Sequence, residues 1–60
     1  MVTFDRALIG IKVGRAYTRL AWKGLTDMNG EPYQVDLKDG LTTLMAVDLL
    51  ADDWYEVMKQ

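Results

Sequence analysis

FDRALIGIKVGRAYTRLAWKG, residues 4–24, is the stretch that decides the fold, because its apolar period changes at Gly14. Before that glycine, apolar residues recur at the spacing of one helical face: Phe4, Ala7, Leu8 and Ile11. Thr3 stands where an N-cap is preferred, and Asp5 lies at the positive end of the helix dipole. Gly14 is typical of a helix stop. The pattern therefore predicts a helix bounded by Thr3 and Gly14.

After Gly14 the residues alternate with the period of a strand. One face of this strand is expected to be polar and cationic, with Arg15, Tyr17, Arg19, Ala21 and Lys23. The other face is expected to carry Ala16, Thr18, Leu20 and Trp22. Lys23-Gly24 is a turn signal, and it ends the predicted strand.

Turn signals also divide the central region. Asn29-Gly30 predicts a hairpin between residues 25–28 and 32–35, and Pro32 favours an edge strand there. Lys38-Asp39-Gly40 marks the next turn.

The region from Leu41 onward is ambiguous. Its apolar residues fit a short helix that Thr42 or Thr43 would cap, although the β-branched start also fits a strand. The apolar positions of that helix are Leu44, Val47, Leu50 and Ala51. Residues 54–58 have the composition of a closing strand. We therefore expect a single α+β domain over residues 1–60, with an N-terminal helix packed on a small antiparallel sheet and a short second helix before the C-terminal strand.

The chain is short for a stable core. A domain of 60 residues buries a smaller share of its apolar surface than a larger one does. Without cysteine or histidine it has neither disulfides nor the usual zinc ligands. Ile9 and Val13 lie off the apolar stripe of the first helix, so this helix has apolar surface on a second side. We expect the chain to form a homo-oligomer.

Hydropathy and charge indicate where the protein acts. The N-terminus lacks a signal-peptide pattern and no apolar run approaches the roughly 18 residues of a membrane span, so we expect a cytoplasmic protein.

Residues 1–24 carry five basic side chains against one acidic, whereas residues 25–60 carry two against eight. Either the halves neutralise each other or the basic part faces an anionic ligand. The net charge of −2 argues against general nucleic-acid binding.

The usual catalytic side chains are missing. The chain has no serine, cysteine or histidine, and therefore lacks the common nucleophiles and the usual neutral-pH base. Asp48, Asp52 and Asp53 would gather carboxylates on a helix, as a magnesium-dependent hydrolase requires, but a solvated helix end is the simpler interpretation. No phosphate-binding glycine motif is present, and we expect no cofactor. These observations favour a binding protein over an enzyme.

Aromatic and cationic side chains do occur close together: Tyr17, Arg19, Trp22 and Lys23, and later Trp54 and Tyr55. Tryptophans are more often core residues than ligand platforms. A purine ring nevertheless needs a flat aromatic face, and its phosphates need cations. The group therefore fits either a core or a nucleotide site.

Two segments resemble the Thoeris anti-defence 2-like family of small phage proteins. FDRALIGIKVGRAYTRLAWKG, residues 4–24, is similar to the family's opening, and DLLADDWYEV, residues 48–57, is similar to its closing motif. The resemblance covers about half of the chain. It implies a helix on an antiparallel sheet, assembly into homo-oligomers, and capture of cyclic nucleotide immune signals in pockets between subunits. Those signals are cyclised ADP-ribose derivatives or cyclic oligonucleotides, and no bond is made or broken.

The same resemblance implies ligand contacts. Trp22 would stack on a base or form a wall of the pocket, and Arg19 would meet a phosphate or hold the adjoining backbone. Asp53 would accept hydrogen bonds from ribose hydroxyls. Three further residues complete the expected site: Tyr17, Lys23 and Trp54.

The chain departs from the family pattern in three places. Lys23 stands where the family often has asparagine, Met45 stands where a serine or threonine would cap the second helix, and the central region is shorter. The expected function is that of a phage counter-defence sponge for a cyclic nucleotide. The alternative is a protein-binding inhibitor or adaptor that blocks a host or bacterial defence protein on the same scaffold.

Overall fold

The computed structural model describes residues 1–38 and 44–58, and these residues form an α+β fold. In chain order the elements are helix α1 (Phe4–Lys12), strand β1 (Tyr17–Arg19), a short 3₁₀ helix (Leu20–Trp22), helix α2 (Ala46–Leu49) and strand β2 (Trp54–Glu56). This is the predicted fold class, with the predicted order of helices around the two strands.

Helix α1 forms as its pattern predicts. Its buried face consists of Phe4, Ala7, Gly10 and Ile11. Thr3 occupies the N-cap position with extended backbone, but its side chain makes no capping hydrogen bond, so only the position of that predicted cap is right. Gly14 has a φ of +95°, a conformation that glycine adopts without strain, and it ends the helix as predicted.

The sheet has two antiparallel strands with one backbone bridge on each side. Arg19 of β1 lies opposite Trp54 of β2. Beyond β2, the N–H and carbonyl of Val2 both bond to Trp54, at 2.8 and 3.1 Å. Beyond β1, Tyr17 and Val35 exchange two backbone hydrogen bonds of 2.9 and 2.7 Å. The polar backbone atoms of both strands are therefore paired from each side at these positions.

The strand predicted for residues 15–23 is shorter than its alternation indicates. It ends at Arg19, and the chain then makes the 3₁₀ helix. The reason is tertiary, because Asp53 accepts the N–H of Leu20 on its carbonyl at 3.0 Å and the N–H of Ala21 on its carboxylate at 3.1 Å. These two bonds satisfy the backbone at the start of a helical turn and override the local strand propensity.

The predicted central hairpin is present only as a turn. Thr26 and Pro32 form an isolated bridge in place of two strands. Asp27 Oδ1 accepts the N–H of Asn29 at 2.8 Å and the N–H of Glu31 at 3.0 Å, which closes the loop around the Asn29-Gly30 turn. Short side-chain bonds therefore replace the longer ladder that the pattern predicts.

Helix α2 begins with Met45 at its N-cap. Asp48, three residues later, accepts the Met45 N–H on Oδ2 at 2.9 Å, which supplies half of a capping box. The alternative caps, Thr42 and Thr43, lie outside the described residues, as do Asp39 and Gly40 of the predicted turn after Lys38.

The core lies between α1 and the sheet. Its buried cluster is Phe4, Ala7, Ile11, Val35 and Trp54. Trp54 has no exposed surface, and its ring packs against Phe4 with ring centroids 5.2 Å apart. Ile9 and Val13 remain 63% and 71% exposed, so α1 has the second apolar side that its sequence predicts.

Gly10 is the point of closest approach between α1 and the sheet. A Cβ atom at this position would lie 2.5 Å from Cε1 and 2.7 Å from the hydroxyl of Tyr17. Overpacking costs about 1–3 kcal/mol, whereas alanine gains only ~1 kcal/mol over glycine in helix propensity, so we expect Gly10→Ala to destabilise the protein by up to about 2 kcal/mol.

Urea unfolding measures this effect. In a Tyr17→Leu background, which removes the clashing ring atoms, the cost of the alanine should fall. A more stable Gly10→Ala protein would show that the helix and the Tyr17 ring separate freely.

Candidate functional site

The expected site residues fall into four places in the structure. Trp54 lies in the core, where its indole Nε1–H donates to the Asp48 carbonyl at 3.0 Å. A side chain with no exposed surface cannot touch a ligand in this conformation, so the expectation of a direct Trp54 contact is corrected. Its ring packs against Phe4 of α1 within the core cluster.

Arg19 lies between two carboxylates. Its Nε–H donates to Asp53 Oδ1 at 2.7 Å, and its Nη1–H donates to Asp48 Oδ1 at 2.8 Å. Only 13% of the Arg19 side chain is exposed. We name these three residues the Arg19 cluster. Because it contains one cation and two anions, it does not attract a phosphate, and of the two roles expected for Arg19 its geometry fits holding the adjoining backbone.

Hydrogen bonding within the Arg19 cluster shifts the pKa of two of its members. The bond from the Arg19 guanidinium, supported by the Ala21 N–H, lowers the pKa of Asp53 below its usual value against the opposing effect of desolvation. The bond to Asp53 in turn raises the pKa of Arg19. Asp53 therefore stays ionised, and its oxygens are engaged by Arg19 and Ala21 and not turned toward a ribose.

Trp22 is the half-buried aromatic residue between the core and the surface. Its ring meets Trp54 edge-on, with centroids 5.1 Å apart and planes at 79°, and it meets Tyr33 at 6.1 Å. Two surface depressions share Trp22 and Gln34. We name them together the Trp22 cleft.

The two depressions of the Trp22 cleft differ in their lining. The first, of about 260 Å³, is lined by Trp22, Tyr33, Gln34, Val35, Met45 and Asp48, and we name it the Met45 depression. The second, of about 440 Å³, includes Thr18, Lys23 and Tyr55, and we name it the Lys23 depression. Ligand sites are typically concave, mainly apolar and about 300–1,000 Å³ in volume, so the larger depression has the size of a small-molecule site.

Lys23 and Tyr17 lie in different surroundings. Lys23 is exposed, and within residues 1–38 and 44–58 it has no ion-pair partner. Glu56 also lines the Lys23 depression, but its carboxylate faces Arg15 at 3.8 Å. Tyr17 lies against Gly10 of α1 and lines a separate depression with Arg6 and Ile9. The structure therefore brings Trp22 and Lys23 together and places Tyr17 elsewhere.

Sequence reasoning did not assign five residues of the Met45 depression to the expected ligand site: Tyr33, Gln34, Val35, Met45 and Asp48. The sequence carries a usable signal for Asp48, because an acidic residue three positions after an N-cap is a capping-box position. No sequence signal joins Tyr33 to Trp22, since that contact depends on how the central turn folds back along β1. Thr18 Oγ1 fixes that path by donating to the Tyr33 carbonyl at 2.7 Å.

The three aspartates of the hydrolase alternative are not gathered on a helix. Helix α2 ends at Leu49, so Asp52 and Asp53 follow it in irregular backbone. Asp48 and Asp53 both bond Arg19, whereas Asp52 is exposed. Among the described residues, no group of three or more acidic or other metal-ligating side chains is arranged to hold an ion.

Comparisons of the chain with protein-family models, with curated proteins and with solved structures gave no match. Across the described part of the chain, neither helix has the length and apolar character to cross a lipid bilayer.

The lowered pKa of Asp53 predicts how stability depends on pH. A carboxylate whose folded-state pKa lies below its unfolded value stabilises the fold above the unfolded pKa, near 3.9, and this stabilisation is lost as pH falls through the folded pKa. We expect Asp53→Asn to lower the thermal midpoint at neutral pH and to reduce its further fall in acid.

Thermal unfolding from neutral pH to about pH 3 tests this expectation. Asp52→Asn is the matched control, because it removes the neighbouring carboxylate, which is exposed, and should keep the wild-type pH profile. Identical profiles for wild type and Asp53→Asn would contradict the prediction.

Proposed function

We propose that this chain is a non-catalytic binding protein that sequesters a cyclic nucleotide immune signal in the Trp22 cleft, as a phage counter-defence sponge in the cytoplasm of an infected cell. The observation that carries the proposal is the position of a half-buried tryptophan and a lysine beside one depression of about 440 Å³, where the lysine has no ion-pair partner among the described residues. Trp22 offers a surface for a base, and Lys23 offers a cation for a phosphate. The ligand class comes from the resemblance of residues 4–24 and 48–57 to the Thoeris anti-defence 2-like family.

The charge distribution supports one orientation of such a ligand. The Met45 depression borders the Arg19 cluster, which carries an excess of negative charge. The Lys23 depression contains the exposed cation. A phosphate is therefore favoured on the Lys23 side, and an uncharged ring on the side of Met45 and Val35.

Thermal stabilisation tests the proposed function. Cyclic ADP-ribose and 3′,3′-cyclic di-AMP are the two probes, one for each ligand class. A ligand at a hundred times its Kd stabilises the folded state by about 2.7 kcal/mol. For a domain of this size this corresponds to a rise of about 10–20 °C in thermal midpoint. Heating the complex should release the probe intact, since no bond is broken.

A matched pair of lysine variants locates the site. Lys23→Gln should weaken binding of the responding probe by about tenfold at low salt, because it removes the cation beside Trp22. Lys12→Gln, on the exposed end of α1, removes the same charge elsewhere and should leave binding unchanged. No midpoint shift with either probe, or equal effects of both variants, would reject this assignment.

Oligomer formation is part of the same proposal. Ile9 and Val13 expose apolar surface on α1, and such surface is covered by association in many small domains. Light scattering at micromolar concentration should therefore give a mass above 6.8 kDa. Ile9→Lys with Val13→Lys should reduce that mass. A folded monomer in the wild type would remove any pocket between subunits from the proposal.

The alternative function is a protein-binding inhibitor, and one observation favours it. Helix α2 and its two capping residues expose three large apolar side chains: Val47 at 62% within the helix, the N-cap Met45 at 68% and the C-cap Leu50 at 86%. Such a patch is typical of a protein contact. Under this alternative the protein ignores both nucleotide probes, and Leu50→Lys abolishes inhibition of the target defence protein without unfolding the domain.

A further inference from the structure

Both the backbone and the side chain of Asp53 bond the segment that carries Trp22. Its carbonyl accepts the Leu20 N–H at 3.0 Å, and its carboxylate accepts the Ala21 N–H at 3.1 Å. The same carboxylate accepts the Arg19 Nε–H at 2.7 Å. Because Leu20 and Ala21 directly precede Trp22 in the 3₁₀ helix, the direction of the Trp22 side chain depends on these bonds.

Asp48 provides a second connection from Arg19 to Trp22. Its Oδ1 accepts the Arg19 Nη1–H at 2.8 Å, and its backbone carbonyl accepts the Trp54 indole N–H at 3.0 Å. The Trp54 ring in turn meets the Trp22 ring at 5.1 Å. Through Asp48, Arg19 therefore also helps to hold the Trp54 indole, against which Trp22 packs.

We propose that Arg19 is a positioning residue that sets the orientation of Trp22 in the Trp22 cleft. The effect of Arg19 on ligand affinity rests on the proposed function. The guanidinium is planar and presents its donors in a fixed fork, so it bonds Asp53 and Asp48 at once. A lysine ammonium is a single centre on a flexible stem and cannot hold both carboxylates in this geometry. With 13% of its side chain exposed and two carboxylates as partners, Arg19 acts through Trp22 and not by contact with the ligand.

The two tryptophans give a direct readout of this positioning. They are the only tryptophans in the chain, and their rings lie close and nearly perpendicular, so their coupled far-ultraviolet circular dichroism bands report the mutual orientation. Arg19→Lys preserves the charge, and we expect it to lose at least half of the coupled signal while it still unfolds cooperatively. Asp52→Asn is the control and should retain the full signal.

Asp53→Asn is the second variant. Its amide has the shape of the carboxylate and retains one acceptor oxygen, so it disturbs the fold less than a truncation does. We expect it to reduce the coupled signal as well. Unchanged signals in folded Arg19→Lys and Asp53→Asn would overturn the proposal, and so would the unfolding of both, because the cluster would then hold the whole fold and not the orientation of Trp22.

Binding of the responding probe, cyclic ADP-ribose or 3′,3′-cyclic di-AMP, separates this proposal from the proposed function. We expect Arg19→Lys to bind it about tenfold more weakly than wild type, and Asp52→Asn to bind it normally. If wild type binds neither probe, the proposed function fails, and the coupled signal alone decides whether Arg19 positions Trp22. If wild type binds and a folded Arg19→Lys binds equally well, the positioning role in binding is wrong.

Discussion

Trp54→Ala should remove a large part of the stability of this protein. Trp54 has no exposed surface, and its removal leaves a cavity beside Phe4 in the core. Truncating a fully buried tryptophan costs about 3–5 kcal/mol. A 60-residue domain has only about 3–9 kcal/mol of stability in total, so the variant should lose at least about a third of it and melt far below the wild-type midpoint. Circular dichroism during heating measures the loss.

A conservative variant separates the ring from its hydrogen bond. Trp54→Phe retains an aromatic ring but leaves the Asp48 carbonyl without the indole N–H, for which we expect a cost of about 1–3 kcal/mol. Tyr55→Ala, which removes the neighbouring exposed ring, should unfold close to the wild-type midpoint. A Trp54→Ala protein that melts at the wild-type temperature would contradict the core assignment.

Trp22→Ala should weaken binding of the responding cyclic nucleotide while the domain stays folded. Stacking of a base on an aromatic side chain contributes about 1–3 kcal/mol, which corresponds to a loss of roughly 5- to 150-fold in affinity. The stability cost should stay below that of Trp54→Ala, because Trp22 is only half buried. Titration calorimetry and thermal unfolding on the same sample give both quantities.

Trp22→Phe is the companion variant, because it keeps a ring in the cleft with a smaller stacking area. Its affinity should lie between those of wild type and Trp22→Ala. Unchanged binding by a folded Trp22→Ala protein would reject stacking. An unfolded Trp22→Ala protein would instead assign Trp22 to the core, where its edge-on contact with Trp54 already lies.

The fold was predictable where it depends on local chemistry. The apolar period that begins at Phe4 and the glycine at position 14 predict α1 and its end, and both are visible in the sequence. The 3₁₀ helix at Leu20–Trp22 was not, because the local alternation favours a strand and Asp53, more than thirty positions away, supplies the deciding bonds. Distant acceptors of this kind leave no periodic signal.

The candidate site was predictable only in part for the same reason. Trp22 and Lys23 are adjacent in sequence, and the structure places both beside one depression. The partners of Arg19 lie 29 and 34 positions away, so a cation that looks available for phosphate in the sequence is already paired in the structure. Trp54 is an aromatic side chain that could stack on a ligand, but its packing against Phe4 of α1, four positions from the start of the chain, places it in the core.

The bridge between Val2 and Trp54 has a consequence for synthesis in the cell. These two residues are about fifty positions apart, yet their mutual hydrogen bonds close one side of the sheet over the core. Structures that depend on such distant pairings form late, since the intervening chain must first be brought together. A ribosome must therefore translate past Trp54 before this domain can fold, and until then the apolar face of α1 is exposed and prone to aggregation.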